Sequence, residues 1–145
     1  MESHICYLAN LTPKMFNITI KRLADLIKVH YPTVNVLAGT GLSGSMVIPA
    51  LAAKLKLEWA IARKDKSHSY MNTEVSLLKA GNKGVKVNDS FITNVVFVDD
   101  LIDTGKTYKT VKKNLKERYS HICVDVVFLG AVLYDNFKVV KDNKV

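Results

Sequence analysis

The residues best suited to chemistry lie in one stretch, VVFVDDLIDTGKT, which runs from Val95 to Thr107. Its apolar run ends in two neighbouring carboxylates, Asp99 and Asp100. Adjacent acids at the end of a buried strand are costly unless they meet a partner or a ligand. The DTGKT that follows places a glycine and hydroxyl side chains at a predicted helix start, where amides and the helix dipole favour anions. The stretch therefore predicts a phosphate cradle beside an acidic pair.

A P-loop nucleotide-binding site is the first alternative, because the stretch ends in GKT. That motif also needs a glycine at position 100, and Asp100 stands there. The alternative is therefore excluded.

A second stretch, LAGTGLSGS at residues 37–45, spells G-x-G-x-x-G at Gly39, Gly41 and Gly44. It lies between an apolar run and a helix-like run, so it predicts a loop whose backbone approaches a phosphate. A dinucleotide-binding turn is one interpretation, since Glu58 lies roughly twenty residues downstream, where a ribose-binding acid is expected. Glu58 begins the second predicted strand instead of ending it, which disfavours that interpretation.

Hydrophobic periodicity predicts helices and strands in alternation. The predicted helices cover 18–29, capped by Asn17, then 46–55, capped by Ser45, and 104–118. The predicted strands cover 34–38, 58–62 and 94–100, and the stretch 121–134 is predicted to begin as a buried strand. Residues 63–93 are predicted to form a long loop that could contain a hairpin. This alternation predicts an α/β fold with a central parallel sheet flanked by helices, in a single domain over 1–145.

Composition narrows the class of protein. The chain has 145 residues and a formal net charge of +8, which favours anionic ligands. The lysines along 104–118 suit a solvated helix face or a phosphorylated small substrate; no nucleic-acid-binding signature accompanies them, so nucleic acid is not an expected partner. With no apolar run long enough for a bilayer and no signal-peptide pattern, we expect a cytoplasmic protein without a membrane partner. Cys6 and Cys123 are predicted to be buried free thiols.

The stretch VVFVDDLIDTGKT resembles the phosphoribosyl-pyrophosphate (PRPP) motif of the type I phosphoribosyltransferases, and IDTGKT is most similar to the hypoxanthine-guanine branch. GTGLSGSMVIPALAAKL resembles the pyrophosphate loop and helix of the same family. The resemblance covers about residues 18–130 and implies that fold, with a homodimer as the expected assembly. The "hood" that selects the base in this family is built from the chain ends, and it is expected to be reduced here.

The resemblance also implies roles for the residues. Asp99 and Asp100 would engage the ribose hydroxyls and hold Mg²⁺ indirectly, through those hydroxyls or water, while Asp103 would be the general base toward a purine. The 5′-phosphate would be held by Thr104, Gly105, Lys106 and Thr107. Pyrophosphate would be held by Thr40, Gly41, Leu42 and Ser43, although many members carry Arg or Lys near position 43.

A third stretch, IARKDKSHSY at residues 61–70, resembles the mobile catalytic loop of orotate phosphoribosyltransferases. The resemblance implies that Arg63 and Lys64 bind pyrophosphate and that Lys66 and His68 act in catalysis. A solvated charged loop is the alternative.

The expected activity is transfer of ribose 5-phosphate from PRPP to a nucleobase, with a purine favoured and orotate possible. A non-catalytic regulator that binds PRPP or a nucleotide on the same fold is the alternative. Near the C-terminus, Tyr134 or Phe137 could stack on the base, or VLYDNF could form a packed strand.

If the basic loop acts in the transition state, Lys66→Ala combined with His68→Ala should slow turnover far more than it weakens substrate binding. Steady-state kinetics and PRPP calorimetry on the same samples check this. An equal loss in both quantities would contradict a catalytic loop.

Overall fold

The computed structural model of the protein describes residues 12–62, 73–74, 85–87, 90–100, 102–119 and 124–145. The predictions for Cys6, Cys123, Arg63, Lys64, Lys66 and His68 concern residues outside these ranges. The helices are α1 (Pro13–His30), α2 (Gly41–Leu55) and α3 (Lys106–Tyr119), followed by a closing 3₁₀ turn at Asp142–Lys144. The strands are β1 (Val36–Thr40), β2 (Glu58–Ala62), β3 (Thr73–Glu74), β4 (Val85–Val87), β5 (Ser90–Asp99), β6 (Val124–Leu133) and β7 (Lys138–Lys141).

The strands form one sheet in the order β3-β2-β1-β5-β6-β7, and β4 also pairs with β5. The four strands β2, β1, β5 and β6 are mutually parallel, which confirms the predicted centre of the sheet. Strands β3, β4 and β7 add antiparallel pairings, so the sheet as a whole is mixed. The segment predicted as a long loop contributes β3, β4 and the first residues of β5, and the predicted hairpin is the β4–β5 pair.

Helices cover both faces of the sheet, and the side chains of the buried strands point alternately to the two faces. On β5, Val95 and Phe97 face the cluster that includes α3, while Val96 and Val98 face the cluster that includes α1 and α2. The helix faces predicted to be buried are confirmed: Ile20, Leu23, Ala24, Ile27, Tyr108, Val111 and Leu115. A sheet covered on both sides leaves its carboxyl edge as the place for a ligand.

Helix α1 begins earlier than predicted. The capping residue is Thr12, whose Oγ1 accepts the Met15 N–H at 3.2 Å, and Pro13 occupies the first turn. A threonine followed by proline is a strong helix start, because proline has the required φ and no amide to satisfy. The prediction that Asn17 caps this helix is therefore wrong, and Asn17 is exposed inside it.

Helix α2 also begins earlier than predicted. It follows β1 directly, with Thr40 as its capping residue, so the prediction of a cap at Ser45 is wrong. Gly41 makes the immediate strand-to-helix turn possible, since its φ of +70° is readily adopted only by glycine. Pro49 consequently lies inside the helix instead of in its first turn.

The chain after β6 turns back instead of continuing as a strand. Residues 134–137 form a turn that leads to β7, antiparallel to β6. The Tyr31 hydroxyl donates to the Val140 carbonyl at 2.8 Å and so ties the end of α1 to β7. Helices long and apolar enough to cross a membrane are absent from the described part of the chain.

Candidate active site

The acid pair ends β5 at the carboxyl edge of the sheet. Residues 95–98 are fully buried, whereas Asp99 and Asp100 are half-buried. The Asp100 amide donates to Asp99 Oδ1 at 2.9 Å, which orients the first carboxylate. The backbone carbonyls of the pair accept hydrogen bonds from the amides of Tyr134, at 3.0 Å, and Asp135, at 3.1 Å. The turn after β6 therefore fixes the backbone that presents the two acids.

The predicted phosphate segment joins the acid pair to α3. Asp103 and Thr104 are exposed, Gly105 is buried with φ of +81°, and the helix begins at Lys106. Thr104 Oγ1 accepts the Lys106 amide at 3.3 Å, and the Gly105 carbonyl accepts the Lys109 amide at 3.0 Å. A helix start of this kind, with exposed hydroxyl and ammonium groups beside it, is able to bind a phosphate.

The three glycines of the second stretch have different roles. A Cβ on Gly39 would overlap Ile48 Cδ1 and lie 3.0 Å from the Val98 carbonyl oxygen. A Cβ on Gly44 would lie 3.5 Å from the Gly39 carbonyl carbon. Gly39 thus lets α2 pack closely on β1, while the prediction that this glycine stretch approaches a phosphate stays a prediction. Gly41 alone of the three has open space around it.

Strand pairing brings the two stretches together. β1 pairs with β5 through Ala38 and Phe97, so the glycine segment and the acid pair leave adjacent parallel strands at the same edge. On the other side, Thr40 pairs with Ala62, the last residue of β2, so β2 also ends at this edge. Leu42 and Ser43 belong to the first turn of α2.

The aromatic residues near the C-terminus do not fit the stacking role. Tyr134 is 3% exposed and packs in the cluster with α1 and α2, so its predicted stacking on a base is wrong. Phe137 has its ring covered by the Arg22 guanidinium, 3.8 Å from the ring centroid. The alternative of a packed strand is confirmed for Val132 and Leu133, which end β6, and is wrong for residues 134–137, which form a turn before β7.

One group of residues beside the site was missed by sequence reasoning. The Asp142 carboxylate accepts the Tyr108 hydroxyl at 2.6 Å, and both its oxygens lie 2.9 Å from Lys112 Nζ. Burial and the bond to Asp142 raise the pKa of Tyr108, so it remains a donor. For Asp142, burial acts to raise the pKa, but the bonds from Tyr108 and Lys112 outweigh it and the pKa is lowered. The only sequence signal was the i,i+4 spacing of Tyr108 and Lys112.

Comparison with known sequences decides the family. The sequence model of the phosphoribosyl transferase domain matches residues 16–143. The chain belongs to this family. It is 34% identical over 96 residues to an orotate phosphoribosyltransferase of Staphylococcus aureus, a match covering 66% of this chain and 42% of that protein. For the orotate phosphoribosyltransferase of Staphylococcus epidermidis the identity is 31% over 111 residues, covering 76% of this chain and 49% of that protein. The chain thus spans less than half the length of these relatives.

Solved structures place the fold among the phosphoribosyltransferases. Orotate phosphoribosyltransferase from Aeropyrum pernix matches with a TM-score of 0.59 and 14% identity, over 84% of this chain and 59% of that one. Adenine phosphoribosyltransferase from Saccharomyces cerevisiae matches with a TM-score of 0.53 and 18% identity, over 83% of this chain and 70% of that one. The predicted type I phosphoribosyltransferase fold is confirmed.

The packing role of the glycines gives a matched pair of variants. Gly39→Ala should lower the free energy of unfolding by about 1–3 kcal/mol, because its methyl group overpacks the contact between α2 and β1. Gly44→Ala meets only ordinary van der Waals contacts. It should be neutral or stabilising by up to about 1 kcal/mol through helix propensity. Urea unfolding of both variants measures the difference, and equal destabilisation would contradict this assignment.

Proposed function

We propose that the protein transfers ribose 5-phosphate from PRPP to a nucleobase and releases pyrophosphate. One observation carries the proposal: the acid pair and the starts of α2 and α3 share one edge of the sheet, on the adjacent parallel strands β1 and β5. A ligand there would meet carboxylates suited to ribose hydroxyls, between two helix starts suited to phosphates. PRPP has a ribose between a 5′-phosphate and a pyrophosphate, and this order matches that of the acid pair between the two helix starts.

In this proposal each part of the edge holds one part of PRPP. Asp99 and Asp100 accept hydrogen bonds from the ribose hydroxyls. The 5′-phosphate lies on the segment from Thr104 to Thr107, and pyrophosphate lies on the segment from Thr40 to Ser43. Gly41 suits the second role, because open space surrounds it and a side chain would obstruct close approach of the ligand.

The proposed reaction exchanges one bond for another at ribose C1. The bond from C1 to the pyrophosphate oxygen breaks, and pyrophosphate leaves with the electron pair. A nitrogen of the base supplies the electron pair of the new bond, and Asp103, which is exposed beside the cradle, accepts the proton that a purine nitrogen releases. The protein contributes mainly by positioning and by electrostatic stabilisation. Arg63, Lys64, Lys66 and His68 are proposed to neutralise the leaving group and exclude water.

The donor set at this edge fits magnesium. Asp99 and Asp100 offer hard oxygen ligands, and within the described ranges no cluster of three or more metal-ligating side chains occurs. Mg²⁺ keeps several waters and is often bound through one or two carboxylates together with substrate phosphates. We propose that these two acids hold it indirectly. When bound, the ion would neutralise charge on the leaving pyrophosphate.

Two observations favour different nucleobases as the acceptor. The IDTGKT stretch favours a purine, whereas the relatives by sequence are named orotate phosphoribosyltransferases. A non-catalytic regulator that binds PRPP or a nucleotide remains the second candidate, because Leu42 and Ser43 stand where many members have a cation. The homodimer stays a prediction.

The experiment that tests the function is pyrophosphate release from PRPP and Mg²⁺ with adenine, guanine, hypoxanthine, xanthine, uracil or orotate. Release with one base supports the transferase and identifies its acceptor. Magnesium-dependent PRPP binding without release would support the regulator instead. Absence of both binding and release would overturn both candidates.

The acid pair can be tested separately. Asp99→Asn combined with Asp100→Asn should weaken PRPP binding at least about tenfold, because charge-assisted hydrogen bonds to the ribose are lost. Calorimetry measures the affinity, and circular dichroism checks that the variant is folded. Asp25→Asn, on the exposed surface of α1, is the matched control and should bind normally. Unchanged affinity in the double variant would contradict the assignment of the site.

A further inference from the structure

The C-terminal turn, defined as Asp142–Val145, packs against the start of α3. A Cβ on Gly105 would lie 3.3 Å from Val145 Cγ1, so the turn closes over the glycine of the phosphate segment. Val145 also packs on the same buried cluster as α3. The proposed 5′-phosphate segment and the C-terminal turn are therefore in contact at Gly105.

The C-terminal turn is attached to α3 by charge as well as by apolar contact. Tyr108 and Lys112 lie one helical turn apart and both reach the Asp142 carboxylate. The ring of Tyr108 is itself fixed between Phe97 and Phe128, with centroid distances of 5.4 and 5.5 Å in edge-to-face geometry. Charge-assisted hydrogen bonds of this length are among the stronger ones in proteins. The first two turns of α3 are thus both bound to the Asp142 carboxylate.

We propose that Asp142 is a positioning residue for the 5′-phosphate site. This inference rests on the proposed function. By holding Tyr108 and Lys112, Asp142 fixes where α3 begins, and with it the backbone of Gly105 and Lys106 that would face the phosphate. Asp142 itself does not touch the ligand.

The inference predicts a selective effect on binding, because different contacts hold the two anion segments, which are residues 104–107 for the 5′-phosphate and residues 40–43 for pyrophosphate. The start of α2 is supported by the contacts among Gly39, Gly44 and Ile48. Those contacts belong to the face of the sheet that carries α1 and α2, while Tyr108 belongs to the face that carries α3. Loss of the Asp142 carboxylate should therefore disturb the phosphate segment and leave the pyrophosphate segment unchanged.

The experiment measures binding of two small probes to the full chain by calorimetry: ribose 5-phosphate and magnesium pyrophosphate. Asp142→Asn should lower the affinity for ribose 5-phosphate about tenfold, because the charge-assisted hydrogen bonds that hold Tyr108 and Lys112, and with them the start of α3, are weakened. The affinity for pyrophosphate should stay within about twofold of that of the unaltered protein. Tyr108→Phe keeps the ring contacts and removes one hydrogen bond, so it should shift the same probe in the same direction by a smaller factor. This second variant is decisive if Asp142→Asn does not fold.

The control is Asp25→Asn, which makes the same change of side chain on the exposed surface of α1. It should bind both probes as the unaltered protein does. An equal loss of both probes in the Asp142 and Tyr108 variants would show a general structural role and overturn the inference, as would no loss at all. If the unaltered protein binds neither PRPP nor ribose 5-phosphate, the proposed function fails and the inference fails with it.

Discussion

The parallel pairing of β1 with β5 is the constraint on which the site depends. β1 is followed directly by the glycine segment that begins α2, and β5 is followed by residues 100–105, which end in Thr104 and Gly105 at the start of α3. Because paired parallel strands end at the same edge, pairing alone brings the acid pair next to both helix starts. A shift of register by one residue would turn Val95 and Phe97 toward the wrong face, so the buried side chains on both faces hold the register.

The two anion segments are held by different physical means. At α2 the support is steric: the absence of a side chain at Gly39 lets the helix approach the strand until Ile48 reaches Gly39. At α3 the support combines aromatic packing around Tyr108 with the charged contact to Asp142. A steric support depends little on pH. The charged contact persists while the Asp142 carboxylate is ionised. Because the pKa of Asp142 is lowered in the folded protein, the stability that this contact contributes is lost only as the pH falls below the usual range of a carboxyl group.

Sequence patterns predicted the parts whose information is local. The buried faces of α1 and α3, the parallel centre of the sheet, and the position of Asp99 and Asp100 at the end of a buried strand were all predicted correctly. The helix starts were predicted less well. Periodicity identifies where a helix buries its face, whereas Thr12 and Thr40 begin their helices one or more turns before that face appears. The turn at 134–137 was missed because Tyr134 continues the apolar run of β6 into a buried position.

By itself, the sequence determined the α/β class, the acid pair and the glycine-containing segments, because each follows from residue type and spacing along the chain. Only the tertiary structure decided which glycines pack and which remains open, since that depends on how closely α2 approaches β1. It also decided that Tyr134 is buried and that Asp142 meets Tyr108 and Lys112, which lie 34 and 30 residues away in the sequence. Contacts between residues so distant in sequence arise from chain packing, which no local pattern records.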